Sequence, residues 1–135
     1  MPAKITTDRS GYLDDFLAAY IKCALWSSSD APGDDDTPLD ENYGPDDLAP
    51  EALDEMHGDC DDFIESNQVK LARADDEHGR GAESCGHDFW LTSNRHGAGF
   101  WDRGMGELGD ILSDNCKPYG GQDLYVGDDG QLYVM

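Results

Sequence analysis

Cys85, His87, Asp88, Ser93 and His96 fall together in CGHDFWLTSNRH, residues 85–96, and these are side chains that bind metals or move protons. With Cys60 they offer the sulfur and imidazole donors of a tetrahedral zinc site. The spacing argues against one, because such sites are usually built from two close ligand pairs, whereas Cys60 and His96 stand alone. Cys60 also falls on the apolar side of a helical repeat, where a small thiol packs well. His87, Asp88 and His96 beside Ser93 or Cys85 invite a hydrolytic triad, but no nucleophile elbow or cysteine-protease surround accompanies them. Both histidines read instead as hydrogen-bonding or turn groups at strand ends. GMGELG, residues 104–109, has the glycine spacing of a dinucleotide loop without the βαβ setting or the following acidic residue. No catalytic residue, metal ligand or cofactor is therefore assigned, and the chain is read as a non-enzyme.

Carboxylates are the other abundant chemistry. Thirty acidic residues face nine Lys and Arg, a formal net charge of −21. Such a surface repels nucleic acid and anionic lipid, which disfavours direct binding to DNA, RNA or membrane, and it attracts a basic partner. Solubility and adaptation to high salt account for the same composition. The acids are densest where bases are missing: fourteen lie from Asp30 to Asp62, and no Lys or Arg occurs between Lys22 and Lys70. Asp34, Asp35, Asp36, Asp46, Asp47, Asp54, Glu55, Asp61 and Asp62 are the candidate partner-contacting residues. Carboxylate pairs are too common here to mark a glycosidase, and weak calcium binding by the 34–47 loop is a lesser alternative.

The elements that must position these groups follow from spacing. Tyr12/Leu13, Phe16/Leu17, Tyr20/Ile21 and Ala24/Leu25 predict an amphipathic helix over 12–26. Its polar face holds only Lys22 as a base, so core packing is expected rather than membrane binding. Residues 27–49, rich in Asp, Pro and Gly, predict a long exposed loop. Pro50 then opens a helix carrying Leu53, Met56, Cys60, Phe63 and Ile64 on one face, ending near Asn67. QVKLARA either extends that helix or forms a separate turn, and DDEHGRGAESCG reads as a break. HDFWLTSN and AGFWDR alternate as two strands around a turn, so Phe89, Trp90, Phe100 and Trp101 are expected to join sheet to helices. The basic groove that a single-strand stacking platform needs is missing there. Met105, Leu108, Ile111, Leu112 and Cys116 predict another helix, and LYVGDDGQLYV a second hairpin about Asp129-Gly130. The expected fold is one α+β domain over 1–135, with N-terminal helices on an antiparallel sheet of about four strands made from two C-terminal hairpins. No apolar run reaches the roughly 18 residues of a membrane span, and the opening lacks the apolar centre of a secretion signal. A cytoplasmic protein with Cys23, Cys60, Cys85 and Cys116 reduced is expected.

GHDFWLTSNRHGAGFWDRGMGELGDILSDNCKPYGGQDLYVGDDGQLYVM, residues 86–135, resembles the C-terminal half of a family of small bacteriophage and prophage proteins. These share a similar His-Asp-Phe-Trp-Leu-Thr, His-Gly-Ala-Gly-Phe-Trp-Asp and Asp-Leu-Tyr-Val-Gly-Asp-Asp-Gly series, and DCDDFIESN, residues 59–67, is similar to the helix before it. Cys85 departs from the small residue expected before that Gly-His. The resemblance implies a phage origin and carries over no catalytic residue. Together with the acidity and the lack of an assigned active site, it suggests an antagonist of host defence, of anti-CRISPR or anti-restriction type, whose carboxylates stand in for DNA phosphates on the basic surface of a host nucleic-acid-binding complex. A phage structural or accessory module, binding through exposed aromatics, is the competing reading.

Overall fold

The computed structural model describes residues 9–31, 34–94, 99–119 and 124–134. Helix α1 spans Arg9–Ser27 and is followed by a short antiparallel ladder of β1, Ser29–Ala31, and β2, Asp34–Pro38. Two 3-10 turns, Leu39–Glu41 and Pro45–Asp47, lead into α2, Pro50–Ser66. Then come α3, Gln68–His78, α4, Ala82–Ser93, and α5, Glu107–Asn115, before the closing hairpin of β3, Leu124–Val126, and β4, Leu132–Val134.

The expected α+β fold is overturned. Among the described residues the strands form two separate two-stranded ladders on a predominantly helical frame, not a sheet of about four strands. HDFWLTS is the body of helix α4, and FWD is a 3-10 turn. The reason is burial on nearly every side: Cys85, Gly86, Asp88, Phe89, Trp90, Leu91 and Ser93 are all buried. A helix enclosed all round shows no apolar stripe, and its Phe, Trp and Thr are favoured in strands, so local alternation misleads. His96 lies outside the described residues. The C-terminal hairpin does form, pairing Leu124 with Val134, Tyr125 with Tyr133 and Val126 with Leu132. Residues 27–49 are not one long loop: they hold the first ladder and both turns, with Leu39 and Leu48 buried. Ala49 N–H donates to the Leu132 carbonyl at 2.9 Å, tying the start of α2 to β4.

Aromatic rings hold the frame together. Phe63 of α2 stacks on Phe89 of α4 with centroids 4.3 Å apart, and Phe16 of α1 reaches Phe89 at 5.7 Å. Trp90 meets Tyr20 edge-on, and its indole N–H donates to Ser27 Oγ at 2.7 Å. Phe89, Trp90 and Phe100 are core residues as expected, whereas Trp101 is 44% exposed.

Helices α1 and α4 cross where Gly86 meets Phe16. A Cβ on Gly86 would sit 2.9 Å from the Phe16 carbonyl carbon and nearer still to its oxygen, against backbone that cannot rotate away. Gly86→Ala is therefore expected to lower stability by about 1–3 kcal/mol, the usual range for overpacking. A urea midpoint within error of the parent would show that the helices do not meet there.

Candidate functional site

The crossing of α1 and α4 also shapes a groove of about 580 Å³. Ala19, Lys22, Cys23 and Trp26 face it from successive turns of α1, and Glu83, Ser84 and His87 face it from α4. Asp40, from the first 3-10 turn, closes one side. Gly79 fixes the next contributor. Its φ of 66° ends α3 in the left-handed conformation, and the following Arg80 N–H donates to the Ala74 carbonyl at 3.0 Å. Arg103 follows the 3-10 turn that buried Phe100 anchors, where Phe100 N–H donates to Thr92 Oγ1 at 3.1 Å.

Both guanidiniums converge on Asp88, whose side chain is 0% exposed. Arg80 Nη2 reaches Oδ2 at 2.8 Å and Arg103 Nη2 reaches Oδ1 at 2.8 Å, while each arginine side chain stays 26% exposed. Two cations against one anion leave a surplus positive charge at the groove floor. Arg80 Nε is buried and has no hydrogen-bond partner among the described residues.

Among the described residues, His87 and Asp88 are not paired as a hydrolytic triad requires. Asp88 is committed to the arginines rather than to His87, whose Nε2 lies 4.0 Å from the Cys23 sulfur. Partial burial lowers the His87 pKa, so the ring is neutral at pH 7. All four cysteines are free thiols and buried. Burial pushes the thiols of Cys23, Cys85 and Cys116 up to about 12 and that of Cys60 well above its ordinary value, which suppresses the nucleophilic thiolate. Among the described residues, no three His, Cys, Asp or Glu gather to hold a metal. Cys60 packs in the core from α2, and Cys85 donates from α4 to the Arg80 carbonyl at 3.4 Å.

The nine candidate carboxylates fall in three places. Asp34, Asp35 and Asp36 belong to β2. Asp46 and Asp47 lie in the turn before α2, where Asp47 Oδ2 accepts from Gly44 N–H at 2.8 Å. Asp54, Glu55, Asp61 and Asp62 are on α2, with Asp54, Glu55 and Asp62 exposed, Asp61 half-buried, and Asp62 accepting from the Tyr119 hydroxyl. Glu51 is also exposed on this helix, and Glu51, Asp54 and Glu55 form no ion pair among the described residues.

No family model, curated protein or solved structure matches the chain. The groove was missed in the sequence because its two arginines and its buried aspartate belong to three separate segments. The available signal was the scarcity of bases: three of the nine Lys and Arg in the whole chain, Lys22, Arg80 and Arg103, line this one groove.

Proposed function

We propose that the chain is a phage-encoded inhibitor of a host DNA-binding defence complex, acting in the host cytoplasm by presenting carboxylates in place of DNA phosphates. The outward face of α2 carries the reading. Its seventeen residues include seven acids, Glu51, Asp54, Glu55, Asp59, Asp61, Asp62 and Glu65, and no Lys or Arg. At a rise of 1.5 Å per residue this helix is about 25 Å long, so it holds roughly one negative charge per 3.6 Å. One strand of duplex DNA carries one per 3.4 Å or so along its axis. Four of the nine bases are engaged elsewhere: Arg80 and Arg103 with Asp88, Arg73 with Glu77, and Lys117 with Asp114. The exposed carboxylates Glu51, Asp54, Glu55 and Asp62 can steer a basic partner, with the salt sensitivity that exposed charges bring. No helix among the described residues is long and apolar enough to cross a membrane.

The competing accessory-module reading draws support from Trp26 and Trp101, 58% and 44% exposed. One experiment separates the two: capture of partners from host lysate by tagged protein, eluted by salt and, in parallel, by duplex DNA. A DNA-binding complex displaced by duplex is expected. The combined substitution Glu51→Gln, Asp54→Asn, Glu55→Gln, Asp62→Asn is expected to weaken its capture at least about tenfold, taking up to 1 kcal/mol for each exposed charge pair lost. Capture that duplex cannot displace, or that the neutralised variant retains in full, overturns mimicry; loss on Trp101→Ala instead would favour the accessory module.

A further inference from the structure

The groove between α1 and α4 has a lining that neither the core nor the acidic surface explains. Lys22, Asp40 and Glu83 all face it, carry opposite charges and form no ion pair with one another among the described residues. Below them lies the surplus positive charge of Arg80 and Arg103 on Asp88. The water-facing part of each guanidinium, 26% of either side chain, offers charge-assisted donors to a carboxylate. Beside them Trp26 stands 58% exposed, its ring inclined 31° to the neutral His87 ring at a centroid distance of 6.4 Å.

From this juxtaposition the geometry points to a binding site for a zwitterionic small molecule of the aromatic α-amino-acid class in the groove formed by Lys22, Trp26, Asp40, Arg80, Glu83 and Arg103. The carboxylate takes the water-facing guanidinium nitrogens of Arg80 and Arg103 and the Lys22 ammonium. The ammonium is held by Asp40 and Glu83, and the ring lies along Trp26, where offset aromatic packing adds to apolar burial. A purely anionic ligand would meet the two rim carboxylates, and a purely cationic one the guanidinium floor. The groove volume of about 580 Å³ lies within the range of small-molecule sites.

The test is an NMR titration of the full chain with L-phenylalanine, following the tryptophan indole N–H signals, with that of Trp26 assigned by Trp26→Phe. A saturable shift of the Trp26 signal is expected, with a dissociation constant below about 1 mM. 3-Phenylpropionate, which lacks the ammonium, and phenethylamine, which lacks the carboxylate, are each expected to bind at least about tenfold more weakly. Lys22→Ala and Glu83→Gln alter exposed side chains and should each weaken phenylalanine several-fold, while an unmoved Trp90 signal reports an intact core. Equal binding of 3-phenylpropionate or adenosine monophosphate would make this a simple anion site and overturn the proposal. So would equal binding of phenethylamine, or no saturable shift with phenylalanine by about 10 mM. The site uses none of the α2 carboxylates, so the charge-neutralised α2 variant should bind phenylalanine unchanged, and failure of either reading leaves the other standing.

Discussion

Asp88→Ala is expected to lower unfolding stability by about 3–5 kcal/mol, the cost of removing one partner from a buried charge cluster. The carboxylate is wholly enclosed and each oxygen takes a guanidinium, so its loss strands two cations in the floor of the groove. Asp88→Asn is nearly isosteric but turns an amide N–H₂ toward one arginine, exchanging an attraction for a donor-to-donor clash, and is expected to recover little. Arg103→Gln should cost less, because Arg80 still answers the carboxylate and both arginines retain some water. Urea denaturation of the parent, Asp88→Ala, Arg103→Gln and the double variant closes a cycle in which the losses fall short of additivity by more than about 0.5 kcal/mol. An Asp88→Ala loss below about 1 kcal/mol would mean that the carboxylate is not the anchor of both arginines.

The same cluster shows what the sequence left illegible. Asp88 follows His87 and invites a catalytic pair, but its partners come from the α3–α4 link and from beyond the Phe100 turn, and local spacing carries no trace of either. Helices with one apolar stripe were readable: α1 shows its stripe from Tyr12 to Leu25, and α2 its own through Met56, Cys60, Phe63 and Ile64. The closing hairpin was readable from Asp129-Gly130, where Gly130 takes a φ of 79° and Asp129 Oδ1 accepts from Gln131 N–H. Helix α4 was not, since burial on nearly all sides erases the amphipathic signal. The β1–β2 ladder was hidden differently, because Asp-rich segments are poor strand formers. The break between α2 and α3 was half legible at Asn67. There the side chain donates to the Phe63 carbonyl and accepts from Asn115, a contact across the fold that sequence spacing does not contain. The acidic residues of α2 were legible in type and in place, since a helix with Met56, Cys60, Phe63 and Ile64 inward turns Glu51, Asp54, Glu55 and Asp62 outward, and these are exposed.

Phe63→Ala is the second large effect expected, at about 3–5 kcal/mol. Phe63 is fully buried and its ring meets Phe89 at 4.3 Å, Tyr119 at 5.9 Å, Phe100 at 6.0 Å and Phe16 at 6.2 Å. Truncation therefore empties the point where α2 joins α1, α4, the Phe100 turn before α5 and Tyr119 beyond it, and no single neighbour can fill it. Leu53→Ala, on the partly exposed side of the same helix, is expected to change stability by no more than about 0.5 kcal/mol. Comparable losses at Phe63 and Leu53 would show that α2 does not pack as described. Against a total stability of about 5–15 kcal/mol, the Phe63 loss acts on a chain already repelled by its own net charge of −21. Salt should then separate folding from binding. Raising ionic strength toward 1 M shortens the screening length to about 3 Å and relieves self-repulsion, so Phe63→Ala is expected to regain part of its stability. The same salt weakens attraction between α2 and a basic partner, so conditions that best preserve the fold of this variant should release the partner from the parent protein.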